Sequence, residues 1–71
     1  MEEIKISLAA ARVNAGMTQA KVAELMKVSN KTIVNWETGL AEPSYATIKA
    51  LSDLYGIPMD NIFLPEKLTK S

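Results

Sequence analysis

The chain of 71 residues contains no cysteine and no histidine, so neither a disulfide nor a Cys/His zinc site can stabilise its fold. A domain of this size buries only about 60% of its unfolded surface, which requires an efficiently packed apolar core. Apolar residues make up 48% of the chain, an ordinary share for a globular protein. The same two absences exclude a catalytic triad built on histidine or cysteine. We therefore expect a single domain over residues 1–71, with its core over about 6–64, a tail over 65–71 and no metal.

Helical periodicity runs through the chain in five short segments, and no strand is predicted. Thr18, Ser29 and Ser44 stand where helix N-caps are expected, and Gly16 and Gly56 stand where helices end. Helices this short are marginal in isolation and need tertiary packing, so the prediction is an all-α, compact five-helix bundle. The five helices are predicted at about Ser7–Ala15, Thr18–Met26, Ser29–Thr38, Ser44–Tyr55 and Pro58–Phe63.

Charge is balanced, with eight basic and eight acidic residues and a net charge of zero. This balance counts against nucleic-acid binding at first sight, because contacts to phosphates dominate the affinity for DNA. Distribution matters more than the sum, and from Met17 to Leu40 three lysines stand against two glutamates. The acidic start Met1–Lys5 argues against a signal peptide, and no apolar stretch reaches the roughly 18 residues of a membrane span. Without disulfides, a cytoplasmic setting is expected.

The predicted third helix has an outer side with an unusual set of side chains. At about 100° per residue, its inner side receives Thr32, Ile33, Trp36 and Glu37. The amide, ammonium and small apolar groups opposite suit base edges, since asparagine pairs with adenine, lysine donates to guanine and valine contacts the thymine methyl. On the residues alone, a DNA-reading surface and a simple exposed polar face remain equally open. The outer side carries Asn30, Lys31, Val34, Asn35 and Thr38.

Five motifs follow one another in this part of the chain, at Met17–Leu25, Val28–Ser29, Thr32–Ile33, Asn35–Gly39 and Pro43–Ser44. Their order and spacing resemble the Cro/lambda-repressor (XRE-type) helix-turn-helix family, and the resemblance extends over about residues 6–64. The stretches at 8–12, 55–57 and 62–64 are similar to small phage or prophage regulators of Gram-positive bacteria. The resemblance implies a lambda-repressor-like DNA-binding domain.

By this resemblance the third helix, at about 29–38, enters the major groove of an operator. Gln19 matches a glutamine that binds a phosphate and braces the reading helix. Arg12 and Glu37 match a salt bridge between the first and third helices. Thr32 and Thr38 match positions near the phosphate backbone or at the edge of the reading surface. The positions that contact bases are matched by Asn30, Lys31 and Asn35.

For several other side chains, the expected contact with DNA stands beside an alternative that involves no DNA. Lys21 opposes the dipole of its helix, a small cost that is either tolerated or offset by a DNA phosphate. Val34 either contacts a thymine methyl or is incidentally exposed. Ser44 is primarily an N-cap, and with Ser29 it is also expected near a phosphate, because helix starts attract anions. Trp36 is expected in the core, since it falls on the inner side of its helix.

The apolar end of the chain either closes the bundle or forms a dimer patch, and we expect a mixture of both. The leading hypothesis is a sequence-specific, phage-like repressor that binds double-stranded operator DNA as a homodimer. We expect no enzyme activity, cofactor, small-molecule ligand or membrane contact. An alternative, favoured by the zero net charge, is an antitoxin-like or antirepressor-like interaction module that has lost DNA binding. The candidate dimer residues are Ile57, Met59, Ile62 and Phe63.

Overall fold

A computed structural model describes residues 5–64 of the chain. This part contains four α-helices, one 3-10 helix and a two-stranded parallel sheet. None of these helices is long and apolar enough to cross a membrane. The tail predicted over 65–71 lies outside the described residues. In chain order the elements are β1 (Ile6–Ser7), α1 (Leu8–Asn14), α2 (Gln19–Met26), α3 (Asn30–Thr38), α4 (Tyr45–Tyr55), the 3-10 helix (Met59–Asn61) and β2 (Ile62–Phe63).

Each α-helix begins directly after a serine or threonine whose hydroxyl accepts a hydrogen bond from a backbone N–H three residues further on. Such an N-cap satisfies a donor that the helix start leaves free, and it stabilises a helix by about 1 kcal/mol. The starts predicted for the first four helices are thereby confirmed to within one residue. The capping residues are Ser7, Thr18, Ser29 and Ser44, with N···O distances of 3.0–3.1 Å.

Residues in the left-handed conformation end three of the helices. Gly39 ends α3 with a φ of 87°, and Gly56 ends α4 with a φ of 72°. Lys27 ends α2 with a φ of 61° and is the one non-glycine residue of the described chain with positive φ. Because this residue reverses the backbone at once, only residues 27–29 separate α2 from α3, and the two helices pack closely.

The C-terminal end departs from the predicted fifth helix. Met59–Asn61 forms a single 3-10 turn, after which Ile62 and Phe63 pair in parallel with Ile6 and Ser7. A β-branched residue followed by an aromatic one favours extended backbone, and the pairing supplies hydrogen-bond partners for it. Over residues 5–64 the fold therefore has four α-helices rather than five helices and is not strictly all-α. Of the candidate dimer residues, Ile62 is only 7% exposed and belongs to the core, so it is one of those that close the bundle.

A single core of buried apolar side chains joins the four α-helices and β2. Trp36 packs against it from α3, as its inner position predicted. Leu25 on α2 is apolar but 45% exposed, so it lies outside this core. The core holds α2 and α3 together and leaves the outer side of α3 at the surface. The buried members are Leu8, Ala11, Val22, Ala23, Ile33, Leu51, Tyr55 and Ile62.

Candidate nucleic-acid interface

The outer side of α3 forms the candidate interface, and the packing of its inner side determines which residues it presents. Ile33 is 1% exposed and anchors the helix in the core. Of the predicted base-contacting residues, Asn30 and Lys31 are exposed, and Val34 and Asn35 are half-buried. The structure therefore places the four side chains on one surface, with the more accessible pair at the N-terminal end of the helix.

The hydroxyl groups predicted near phosphates have partners within the protein. The Ser29 Oγ atom accepts the Thr32 backbone N–H and lies 2.9 Å from the Thr32 hydroxyl. The Thr38 hydroxyl donates to the Val34 carbonyl at 2.9 Å. Ser44 is exposed and caps α4. These contacts order the helix ends. The hydroxyls of Thr32 and Thr38 lie on α3, and that of Ser29 caps its N-terminal end.

A network centred on Glu37 joins three helices behind this surface. Arg12 donates from Nε to Glu37 Oε2 at 2.7 Å and from Nη2 to Oε1 at 3.4 Å. Gln19 donates from Nε2 to the same Oε1 atom at 3.0 Å. Arg12 also donates to the Met17 carbonyl at 2.9 Å, which ties α1 to the loop before α2. Both carboxylate oxygens are occupied, so the first residue of α2 and the side chain of Arg12 fix the position of α3.

The pKa values of Arg12 and Tyr55 determine the charge of this network. The hydrogen bond to Glu37 raises the pKa of Arg12 above its ordinary value, against an opposing effect of burial. Tyr55 lies beside the pair at the end of α4, and burial, followed by the negative charge of Glu37, raises the pKa of Tyr55 to about 12. The arginine is charged and the tyrosine neutral at physiological pH. The negative charge of Glu37 is therefore compensated inside the protein.

Lysines provide positive charge around α3, although not all of them are free. Lys21, predicted to face a phosphate, lies 3.7 Å from Glu24 in an exposed pair on α2. Lys49 on α4 pairs with Asp53 at 3.1 Å. Lys27 and Lys31 are exposed, and neither forms an ion pair with the described residues. Lys31 is thus the accessible cation on α3 itself.

The loop between α3 and α4 folds back onto the end of the candidate interface, which the sequence did not reveal. The backbone N–H groups of Gly39 and Ala41 both donate to the Asn35 carbonyl, at 3.1 and 3.2 Å. The next residue, Glu42, is exposed. These two hydrogen bonds hold the start of the loop against the last turns of α3, and Glu42 follows Ala41 directly in the chain.

Comparison with known proteins identifies helix-turn-helix relatives. The family described as helix-turn-helix matches residues 8–62. The HTH-type transcriptional regulator ImmR of Bacillus subtilis (strain 168) is 32% identical over 60 residues, covering 84% of this chain and 47% of that protein. The HTH-type transcriptional activator BcrR of Enterococcus faecalis is 30% identical over 57 residues, covering 80% of this chain and 28% of that protein. The chain thus spans less than half the length of these relatives, and no solved structure matches it.

Proposed function

The chain belongs to the XRE-type helix-turn-helix family, and from that premise we propose that it binds double-stranded DNA in a sequence-specific manner and regulates transcription. One observation carries the proposal: Asn30, Lys31 and Asn35 share the surface of a helix whose opposite side is anchored in the core. A convex helical ridge of this kind fits the major groove, where donors and acceptors on base edges are distinguishable.

The base-reading role falls to the outer side of α3. An asparagine amide pairs with adenine through two hydrogen bonds, a lysine donates to guanine acceptors, and a valine contacts a thymine methyl. These roles belong to Asn30 and Asn35, to Lys31 and to Val34. Gln19, Lys21, Ser29, Thr32, Thr38 and Ser44 are the phosphate-contacting candidates. Because net charge is zero, sequence-independent binding is expected to be weak, with a shallow dependence on salt.

We further propose a homodimer, because one short reading helix makes too few contacts for specific binding. Two copies would bind half-sites about 34–36 Å apart, one turn of DNA. Phe63 and Leu64 are 55% and 37% exposed and lead the candidate dimer surface, and Ile57 and Met59 beside them are half-buried. Repression by a phage-type mechanism follows if the operator overlaps a promoter, since a bound dimer then blocks polymerase.

Selection from a random pool of double-stranded DNA with the purified chain tests the proposal. We expect an enriched inverted repeat whose half-site centres are about 10–10.5 base pairs apart. Lys31→Ala should relax the preference at one base pair and weaken operator binding by about 1–3 kcal/mol. Lys49→Ala removes the same charge from the exposed side of α4 and serves as the matched control. If the two variants change operator binding and base preference equally, Lys31 does not contact bases.

A second candidate is a protein-interaction module on the same scaffold, and the zero net charge is the observation in its favour. It makes a different prediction in the selection experiment. An interaction module would enrich no sequence and would shift no genomic fragment in electrophoresis even at low salt, where phosphate contacts are strongest. A pull-down with the purified chain would then test whether a partner protein binds to the outer side of α3.

A further inference from the structure

Charge is distributed unequally along α3. At its N-terminal end the exposed Lys31 adds to the positive end of the helix dipole, and the first turn contains no acidic residue. The C-terminal end of α3 is the negative end of the dipole, and the exposed Glu42 follows four residues after Thr38, the last residue of the helix. The Ala41 N–H, which donates to the Asn35 carbonyl at 3.2 Å, holds the neighbouring Glu42 at this end. The reading helix therefore has one attractive and one repulsive end.

Glu42 also differs from the other acidic residues of the described chain. Glu24, Glu37 and Asp53 each form an ion pair with a lysine or arginine, which compensates their charge. Neither Glu42 nor Asp60 forms an ion pair or side-chain hydrogen bond with the described residues. Asp60 lies in the 3-10 turn, beyond the far end of α4. Glu42 is thus the uncompensated acid at the candidate interface, and Asp60 is a similar acid away from it.

The charges at the two ends of α3 lie far enough apart that salt weakens the interaction between them. From Lys31 to Thr38 the helix rises about 10 Å, at 1.5 Å per residue. The screening length at 0.1 M salt is also about 10 Å, so a charge at one end of α3 acts only weakly on a phosphate at the other end. Repulsion at the C-terminal end therefore does not cancel attraction at the N-terminal end, where Asn30 and Lys31 are exposed.

We propose that Glu42 is a specificity-determining residue that repels DNA phosphates and suppresses sequence-independent binding. The proposal rests on the DNA-binding function proposed above. Binding to random DNA depends almost entirely on phosphate contacts, whereas operator binding also includes contacts to bases. A repulsive charge therefore removes a larger share of the first affinity than of the second. Discrimination between partners commonly uses such a repulsive group together with attractive ones.

Glu42→Gln tests this role against the matched control Asp60→Asn, which changes net charge by the same amount. Affinity is measured by fluorescence anisotropy at several KCl concentrations, for the operator obtained by selection and for a scrambled duplex of equal length. We expect Glu42→Gln to tighten binding to the scrambled duplex by roughly two- to fivefold and to lower the ratio of operator to scrambled affinity. The salt dependence should steepen by up to about one counterion. Asp60→Asn and Glu42→Asp should retain the wild-type ratio.

Three other outcomes would each overturn the proposal, and the measured affinities distinguish them. Equal gains from Glu42→Gln and Asp60→Asn would mean that net charge alone acts, wherever it lies. An unchanged ratio in Glu42→Gln, with normal operator binding by the wild type, would overturn the role of Glu42 and leave the proposed function intact. If the wild-type chain binds neither duplex, the proposed function fails and the specificity role fails with it.

Discussion

A carboxylate on a helix that faces DNA repels phosphates unless an opposite charge lies close to it. Glu37 meets this condition, because its side chain is 6% exposed and is paired with Arg12, whose side chain is 14% exposed. Gln19 completes the arrangement by donating to the same carboxylate. The hydrogen bonds among these three residues orient α3, and under the proposed function they also mask its acidic residue.

Arg12→Ala is expected to be strongly destabilising, because it leaves Glu37 buried without its countercharge. Removing one partner of a buried pair costs about 3 kcal/mol or more, whereas an exposed pair contributes under about 1 kcal/mol. The measurement is the free energy of unfolding from urea titrations, with Lys49→Ala, which breaks the exposed Lys49–Asp53 pair, as the control. Similar losses in the two variants would show that the Arg12–Glu37 pair carries no special weight.

Tyr55 should make the fold sensitive to alkaline pH. Its pKa is about 12 in the folded chain, above the ordinary value of 10.0, because its burial disfavours the charged phenolate. This raised pKa means that the contribution of the neutral tyrosine is fully present below pH 10 and is lost as pH rises from 10 to about 12. The free energy of unfolding of the wild type should fall by up to about 2 kcal/mol relative to Tyr55→Phe over this interval. Parallel pH profiles of the two proteins would contradict this assignment.

At the scale of single elements, the turn between α2 and α3 contains a local conflict. Lys27 adopts a φ of 61°, a region in which a side chain is strained and glycine is not. The turn must be this tight because the following N-cap, Ser29, comes two residues later. The close packing of α2 on α3 thus imposes a backbone conformation that the residue itself disfavours.

Lys27→Gly is therefore expected to stabilise the fold by about 0.5 kcal/mol, since relief of the strain outweighs the added freedom of the unfolded chain. Lys31→Gly removes the same charged side chain from within α3 and should instead destabilise by about 1 kcal/mol. Thermal unfolding of both variants provides the comparison. A loss of stability in Lys27→Gly would mean that the lysine side chain, and not the backbone, matters at this turn.

At the scale of the whole molecule, the parallel pairing of β1 and β2 closes the fold and separates core from surface within two consecutive residues. Ile62 is 7% exposed and belongs to the core, whereas Phe63 is 55% exposed. Successive residues of a strand point to opposite sides, so this difference follows from the pairing. The outward residue is the stronger candidate for association between copies.

Phe63→Ser should weaken self-association while leaving the monomer folded, because its side chain is already largely in solvent. Ile62→Ser, one residue away, should destabilise the monomer by about 3 kcal/mol through loss of a buried side chain. Sedimentation velocity reports association, and circular dichroism reports folding. If Phe63→Ser sediments like the wild type across the same concentrations, the dimer surface lies elsewhere.

The sequence by itself determined the four α-helices and the residues that face outward on α3. N-caps such as Ser29 act over three residues, and the two sides of a helix follow from its period, so both are local properties that a pattern of residues contains. The pairing of Arg12 with Glu37 was suggested by family resemblance, because residues so far apart in the chain leave no local signal.

Only the tertiary structure decided how the two ends of the chain meet and what lies beside α3. β2 forms because Ile6 lies within reach of Ile62, a contact between distant parts of the chain that competes with the short helix predicted there. Likewise, the loop that contains Glu42 is held to α3 by the hydrogen bond from the Ala41 N–H to the Asn35 carbonyl. Local sequence sets which elements can form, whereas contacts between distant residues depend on loop paths and packing that no short segment contains.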